Sequence, residues 1–223
     1  MSTKKVVSII APPGAGKGTQ AEILARDLGF VHIETSKIIR KKFTEADPND
    51  SVIKREKEKY AAGFLNDSKL VDEWMTEEIT RLGKEKKDIV FSGWPRLPIE
   101  AETAHELFPK FYKKENIKFF HITLSEDESV KRNAHRLVCE KNDHPFPGNQ
   151  STTLNACPFD GSLLITRGSL DAPEMIRKRY AVYKSETKPL FKVIKKNGHQ
   201  IIEINGEQSI EAVAAEIRQH LEV

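Results

Sequence analysis

One stretch near the amino end decides the fold: residues 6–20 read VVSIIAPPGAGKGTQ. Its first five residues are almost all apolar and β-branched, which is typical of a short buried strand. The Gly/Pro cluster at 11–16 ends that strand, and a helical pattern follows from Lys17 to Leu28. Glycines between a strand and a helix let backbone N–H groups approach phosphate oxygens, and Lys17 adds a positive charge. The stretch therefore predicts a phosphate-binding loop.

Downstream of this loop, apolar strand patterns alternate with helical ones. Strands are predicted at 6–10, 31–33, 89–91, 119–124 and 201–204. Helix caps are predicted at Thr35 (for a helix through Arg40), Asp67, Ser125 and Ser209. This alternation favours an α/β fold with a five-stranded parallel sheet flanked by helices. Residues 41–63 are charged and helical, and residues 141–162 are rich in Pro and Gly, so both are candidate insertions.

Composition excludes several classes of protein. The 223 residues are 38% hydrophobic and 31% charged, with 12 Gly and 11 Pro, unlike collagen-like or disordered chains. No apolar run approaches the roughly 20 residues of a bilayer span, and no signal peptide is expected. A net charge of +3 argues against a nucleic-acid partner. Two cysteines are too few for a disulfide scaffold, so we expect a cytoplasmic protein.

A set of motifs in order along the chain resembles the adenylate kinase family of nucleoside monophosphate kinases. The motifs are Gly14-Ala15-Gly16-Lys17-Gly18-Thr19-Gln20, Thr35 to Arg40, Gly63-Phe64-Leu65, Gly93-Trp94-Pro95-Arg96, Arg132 and Arg136, Arg167, Arg177-Lys178-Arg179, and Asn205-Gly206. The resemblance implies a P-loop kinase core at 1–34, 67–136 and 167–223. It also implies a monophosphate-binding insertion at 35–66 and a mobile lid at 137–166. The implied reaction is ATP + AMP = 2 ADP, catalysed by a monomer.

The resemblance also assigns roles to individual residues. Those implied to bind ATP are Gly14, Ala15, Gly16, Lys17, Gly18, Thr19, Arg132, Arg136 and Gln208. Those implied to bind the monophosphate are Thr35, Arg40, Leu65, Gly93, Arg96 and Glu100. Lys17, Arg96, Arg132, Arg167 and Arg179 are the implied catalytic residues. Phosphoryl transfer needs mainly alignment and charge neutralisation, for which planar guanidinium groups suit phosphates well.

The identity of the acceptor base stays open in the sequence. The family usually has glutamine at the position of Glu100, and a carboxylate can only accept hydrogen bonds. Thr35 is similar to the adenylate-specific members, which favours AMP, but Glu100 leaves GMP and CMP as alternatives. A catalytically weakened nucleotide-binding or sensing protein is another alternative. A GTPase switch is disfavoured, because Ser92 stands where that class has an aspartate.

Metal ligands differ from the family pattern at two places. The family usually has aspartates, which hold Mg²⁺ through water, at the positions of Lys37 and Ser92. We therefore expect Mg²⁺ to arrive with ATP and to be held mostly by phosphates and water. In the lid, Cys139, His144, Cys157 and Asp160 resemble the structural zinc ligands of some adenylate kinases. The alternative is a lid held by hydrogen bonds, with two small buried cysteines.

Overall fold

The computed structural model describes residues 4–141, 145–146, 155–158 and 160–222. Five of its strands form one sheet in the order β2-β3-β1-β4-β8, and every pairing in that sheet is parallel. These strands are β1 (Val6–Ile10), β2 (Val31–Glu34), β3 (Ile89–Ser92), β4 (Ile117–Thr123) and β8 (Ile201–Asn205). The predicted five-stranded parallel α/β fold is confirmed. β4 begins two residues earlier than predicted, because Ile117 and Lys118 already pair with β1.

Helices cover both faces of this sheet. They are α1 (Lys17–Leu28), α2 (Thr35–Glu45), α3 (Ser51–Ala61), α4 (Ser68–Lys84), α5 (Pro98–Leu107), α6 (Glu126–Ala134), α7 (Pro173–Val182), α8 (Leu190–Lys196) and α9 (Ile210–Leu221). Adjacent strand residues face opposite sides of a sheet, so the core has two halves. Phe119 packs on one side with Met75 of α4, and Phe120 packs on the other with Leu24 of α1.

Side-chain caps begin three helices as predicted. Asp67 accepts hydrogen bonds from the backbone of Lys69 and Leu70, while Ser125 and Ser209 cap α6 and α9. The prediction for Thr35 is wrong. Thr35 is buried as the first residue of α2, Glu34 takes the cap position, and the helix runs to Glu45 rather than Arg40.

A small antiparallel sheet follows α6. Its strands are β5 (Leu137–Cys139), β6 (Pro145–Phe146) and β7 (Leu164–Ile165), with β5 in the middle. Cys139, Phe146 and Cys157 form a separate buried cluster beside it. This cluster is too small to be a domain core on its own.

Candidate active site

A cleft of about 1480 Å³ lies at the carboxyl ends of β1, β2 and β3. Ligands of open parallel sheets bind at this edge, where the loops after the strands gather. The cleft is lined by the loop before α1 and by residues of α2, α6 and α7. Its volume exceeds that of an ordinary single-ligand pocket, so it has room for two nucleotides.

The loop between β1 and α1 forms one wall of the cleft. Gly14 and Gly16 both have positive φ, 78° and 82°, which glycine adopts without strain. Gly16 occupies the cap position of α1 without a capping side chain, so the first N–H groups of this helix stay available to an anion. Lys17, Gly18 and Thr19 also line the cleft. Ala15 does not, because its methyl group packs in the core.

Five cations converge on this cleft from distant parts of the chain: Lys17, Arg96, Arg136, Arg167 and Arg179. Burial, followed by the positive charges of Arg96, Arg179 and Arg136, lowers the pKa of Lys17 from 10.5 to about 7, although Glu34 opposes the effect. Burial and the neighbouring arginines, Arg136, Arg167 and Arg96, likewise lower the pKa of Arg179 to about 10. Like charges gathered in this way destabilise the empty site, and a bound polyanion would relieve that repulsion.

Neighbouring groups of the protein orient the arginines at the lid side. Arg136 makes two hydrogen bonds to the carboxylate of Asp171, of 3.1 and 2.5 Å. Burial lowers the pKa of Arg136 even though Asp171 opposes the shift. Arg132 donates to Glu128 at 2.9 Å and to the carbonyl of Gly206 at 2.8 Å. Their positions are therefore set before any ligand binds.

The cleft is also lined by Thr35, Leu65, Gly93, Arg96 and Glu100, which are predicted to bind the monophosphate. Gly93 has a φ of 114°, and a Cβ there would lie 2.6 Å from Nη2 of Arg96. Glycine is thus needed for the guanidinium to lie over this turn. The hydroxyl of Thr35 is buried without a hydrogen-bond partner in the structure. A buried hydroxyl left in this state favours a ligand that can bond to it.

Glu100 is held in an unusual environment for an acid. Its side chain is only 3% exposed, in the first turn of α5. Oε2 accepts hydrogen bonds from the backbone N–H groups of Arg96, at 2.6 Å, and Leu97, at 3.2 Å. Burial, with a further contribution from the charge of Asp72, raises the pKa of Glu100 to about 7 despite these two bonds. The expectation of a permanent carboxylate here therefore needs revision.

Sequence reasoning missed several polar residues of the cleft. Ser92 bonds to Nε2 of His32 at 2.7 Å, and Nδ1 of His32 bonds to Glu22 at 3.1 Å. Glu34, which accepts from Ser36, forms an ion pair with Lys37 at 3.3 Å. The pKa of Glu34 lies below its usual value, because the Ser36 bond and nearby cations outweigh burial. Position at the carboxyl end of β2 was the available signal for Glu34, whereas His32 lies inside that strand and had no such signal.

Two other predicted residues are engaged with protein partners. Arg40 is not among the residues that line the cleft; its guanidinium donates to the hydroxyl of Tyr60, which does line it, at 3.2 Å. Gln208 lines the cleft and donates to Glu216 at 2.8 Å. Arg167 lines the cleft near Arg136 and Arg179.

The predicted metal-binding residues Cys139, Cys157 and Asp160 do not line the cleft themselves, although Phe146, which packs against the two cysteines, does. Ligand atoms of Cys139, Cys157 and Asp160 all lie within 4.8 Å of one another, and the Cys139 thiol donates to Asp160 at 3.3 Å. The cysteines are buried and not joined in a disulfide. Two thiols and a carboxylate are ligands that suit zinc. His144, the fourth predicted ligand, lies outside the described residues.

Comparison with known proteins adds evidence that covers most of the chain. The family model described as adenylate kinase matches residues 9–199. The chain is 33% identical to an adenylate kinase of Petrotoga mobilis, over 92% of both chains. It is 30% identical to one of Streptomyces avermitilis, over 86% of both. It is 29% identical to one of Pyrococcus furiosus, over 95% of this chain and 93% of that one.

Among the described residues, no helix has the length and apolar character that crossing a membrane requires.

Proposed function

The chain belongs to the adenylate kinase family, and on that premise we propose that AMP is its preferred acceptor and that the cleft residues named above act on the two nucleotides. The protein is a phosphotransferase of the nucleoside monophosphate kinase class, with ATP and a nucleoside monophosphate as substrates. The reaction of this family converts ATP and AMP to two ADP.

The convergence of Lys17, Arg96, Arg136 and Arg179 on one cleft carries the proposal. Burial, together with the charges of the three arginines, lowers the pKa of Lys17 to about 7, so the empty site disfavours the ammonium form. ATP and a monophosphate bring several negative charges to the same place. Binding both would exchange repulsion among the cations for attraction, and it would align the two phosphate chains for transfer.

Each group of residues then has a defined task. The amino end of α1 and Lys17 would hold the donor phosphates, and Arg96 would hold the acceptor phosphate. Arg132, Arg136, Arg167 and Arg179 would neutralise the charge on the transferring phosphoryl group. Closure of the lid over them would keep water from accepting that group.

Mg²⁺ enters with ATP as part of the substrate. The ammonium group of Lys37 has no lone pair for a metal ion, and the hydroxyl of Ser92 already bonds to His32. Oxygen donors that line the cleft include the hydroxyl of Thr19 and the carboxylate of Glu34, which also contacts Ser36 and Lys37. Mg²⁺ retains several waters in most protein sites, so phosphates, waters and these donors suffice to hold it.

The preference for AMP rests on Thr35 and Glu100. The buried hydroxyl of Thr35, which has no hydrogen-bond partner among the described residues, can bond to a base, and Glu100 is a second polar group that lines the same cleft. A panel of AMP, GMP, CMP and UMP with MgATP, followed by ADP formation, tests the proposal. We expect the highest kcat/KM with AMP when the panel is run below neutral pH. A higher value with GMP or CMP would refute the preference while leaving the kinase class intact.

We also propose a structural zinc ion in the lid, held by Cys139, Cys157 and Asp160 together with His144. Bound metal would stabilise the small cluster beside β5, which has little apolar core of its own. Elemental analysis of protein purified without added metal should give about one zinc per chain, and the variant C139S should lose it. Zinc well below one equivalent in the unaltered protein would refute the site.

Two further parts of the proposal, a monomeric enzyme and a cytoplasmic location, rest on the sequence. Size-exclusion chromatography coupled to light scattering tests the first. A mass near twice the 25.3 kDa of the chain would refute it.

A further inference from the structure

The two oxygens of the Glu100 carboxyl group have different surroundings. Oε2 accepts from two backbone N–H groups, those of Arg96 and Leu97. Within the described part of the chain, Oε1 makes no hydrogen bond, and Glu100 lines the acceptor side of the cleft. Since both lone pairs of Oε2 are in use, a proton on this group would sit on Oε1. Oε1 is therefore the oxygen that changes from acceptor to donor on protonation.

Charged neighbours of Glu100 come from two elements. Asp72 of α4, which accepts from the indole of Trp94 and the hydroxyl of Thr103, disfavours a second negative charge nearby. The Arg96 guanidinium opposes this effect. Helix α8 also packs on α5. Asn197, which follows α8, donates a hydrogen bond to Glu102 rather than to Glu100. Together with burial, these charges give Glu100 a pKa of about 7, so its protonated and ionised forms are both populated near neutral pH.

Nucleobases differ at the ring nitrogen that a single oxygen atom can contact. Adenine N1 and cytosine N3 carry a lone pair and accept a hydrogen bond. Guanine N1 and uracil N3 carry a hydrogen and donate one. A protonated Oε1 donates and fits the first pair, whereas an ionised Oε1 accepts and fits the second. A wrong pairing would leave two buried acceptors, or two donors, facing each other, which is costly.

Building on the proposed function, we propose that Glu100 binds AMP as a neutral acid, with the Oε1 hydroxyl donating to adenine N1, and that its ionisation shifts the preference of the acceptor site toward GMP. The acceptor site would thus select its base according to pH. Glutamine at this position donates at every pH and has no such switch.

Calorimetric titrations with AMP and with GMP, without ATP, test the inference from about pH 5.5 to about pH 8.5. The ratio of the two dissociation constants cancels effects common to both ligands, such as ionisation of the phosphate or of Lys17. We expect the preference for AMP over GMP to fall by up to about tenfold per pH unit above neutrality. E100Q should prefer AMP at every pH, with a constant ratio. The control E102Q, altered on the same helix, should behave like the unaltered protein.

Several outcomes would overturn the inference: a ratio that does not vary with pH, a ratio that varies equally in E100Q, or no binding of either ligand. ADP formation, measured in parallel, separates failure of this inference from failure of the proposed function. If ADP forms but the ratio of the AMP and GMP dissociation constants does not vary with pH, only the pH-dependent selection by Glu100 is refuted. If nucleotides bind but no acceptor yields ADP, only the proposed function is refuted.

Discussion

Binding of a polyphosphate should draw a proton onto Lys17. Its pKa of about 7 in the empty cleft, against an ordinary 10.5, corresponds to a penalty of up to about 5 kcal/mol on the ammonium form. Lys17 is only partly buried, so solvent screens some of this penalty. At about pH 8.5 most Lys17 side chains are then neutral when the site is empty. Phosphates beside Lys17 should restore its charge, so binding should take up nearly one proton per site.

Calorimetric titration of ATP in buffers with different heats of ionisation measures that proton directly. We expect an uptake of about 0.9 protons or more near pH 8.5, which falls to about half a proton near pH 7 and toward zero at lower pH. K17M should remove the uptake because it removes the group, and K17R should remove it because arginine stays charged. Uptake near zero in the unaltered protein, or equal uptake in K17M, would refute the account of the cation cluster.

Three further predictions concern single side chains. R96A should lower turnover about 10³-fold without lowering the unfolding midpoint. The exposed control R81A should leave turnover unchanged, and an R96A variant with full turnover would show that Arg96 does not contact the substrates. Because the pKa of Glu100 is raised, its protonation stabilises the fold at low pH, and about 3 kcal/mol should be lost as pH rises from about 4.5 to about 7. Urea titrations across that range should show this loss, and E100Q should not have it; an equal loss in E100Q would contradict the assignment. D67A should lower the free energy of unfolding by about 1 kcal/mol in the same titrations, because it removes the cap of α4. D67N should retain most of that stability, since asparagine can also cap a helix; equal losses in both variants would point to the charge of Asp67 rather than to capping.

Local sequence signals predicted most of the fold. The apolar strands and the glycines around Lys17 are readable because each depends on neighbours within a few residues. The cap at Thr35 was misassigned because burial of its side chain, which only the tertiary fold imposes, overrode a local preference.

The finer chemistry of the site could not be read in this way. Asp171 orients Arg136 from 35 positions away, and His32 reaches Ser92 on the neighbouring strand. The protonation of Glu100 likewise depends on burial and on Asp72, which no motif encodes. Family resemblance supplied the list of arginines, but the partners that hold them come from packing.

The phosphate-binding loop is fastened to α6 as well as to α1. The hydroxyl of Ser129 donates to the carbonyl of Pro13 at 2.6 Å, and a Cβ on Gly14 would collide with the side chain of Asn133. α6 also carries Arg132 and leads directly to Arg136 and the lid. These two buried contacts couple the conformation of the loop to the position of α6. A substitution at Ser129 or Asn133 would therefore disturb the loop at Pro13 and Gly14, although both residues lie more than a hundred positions further along the chain.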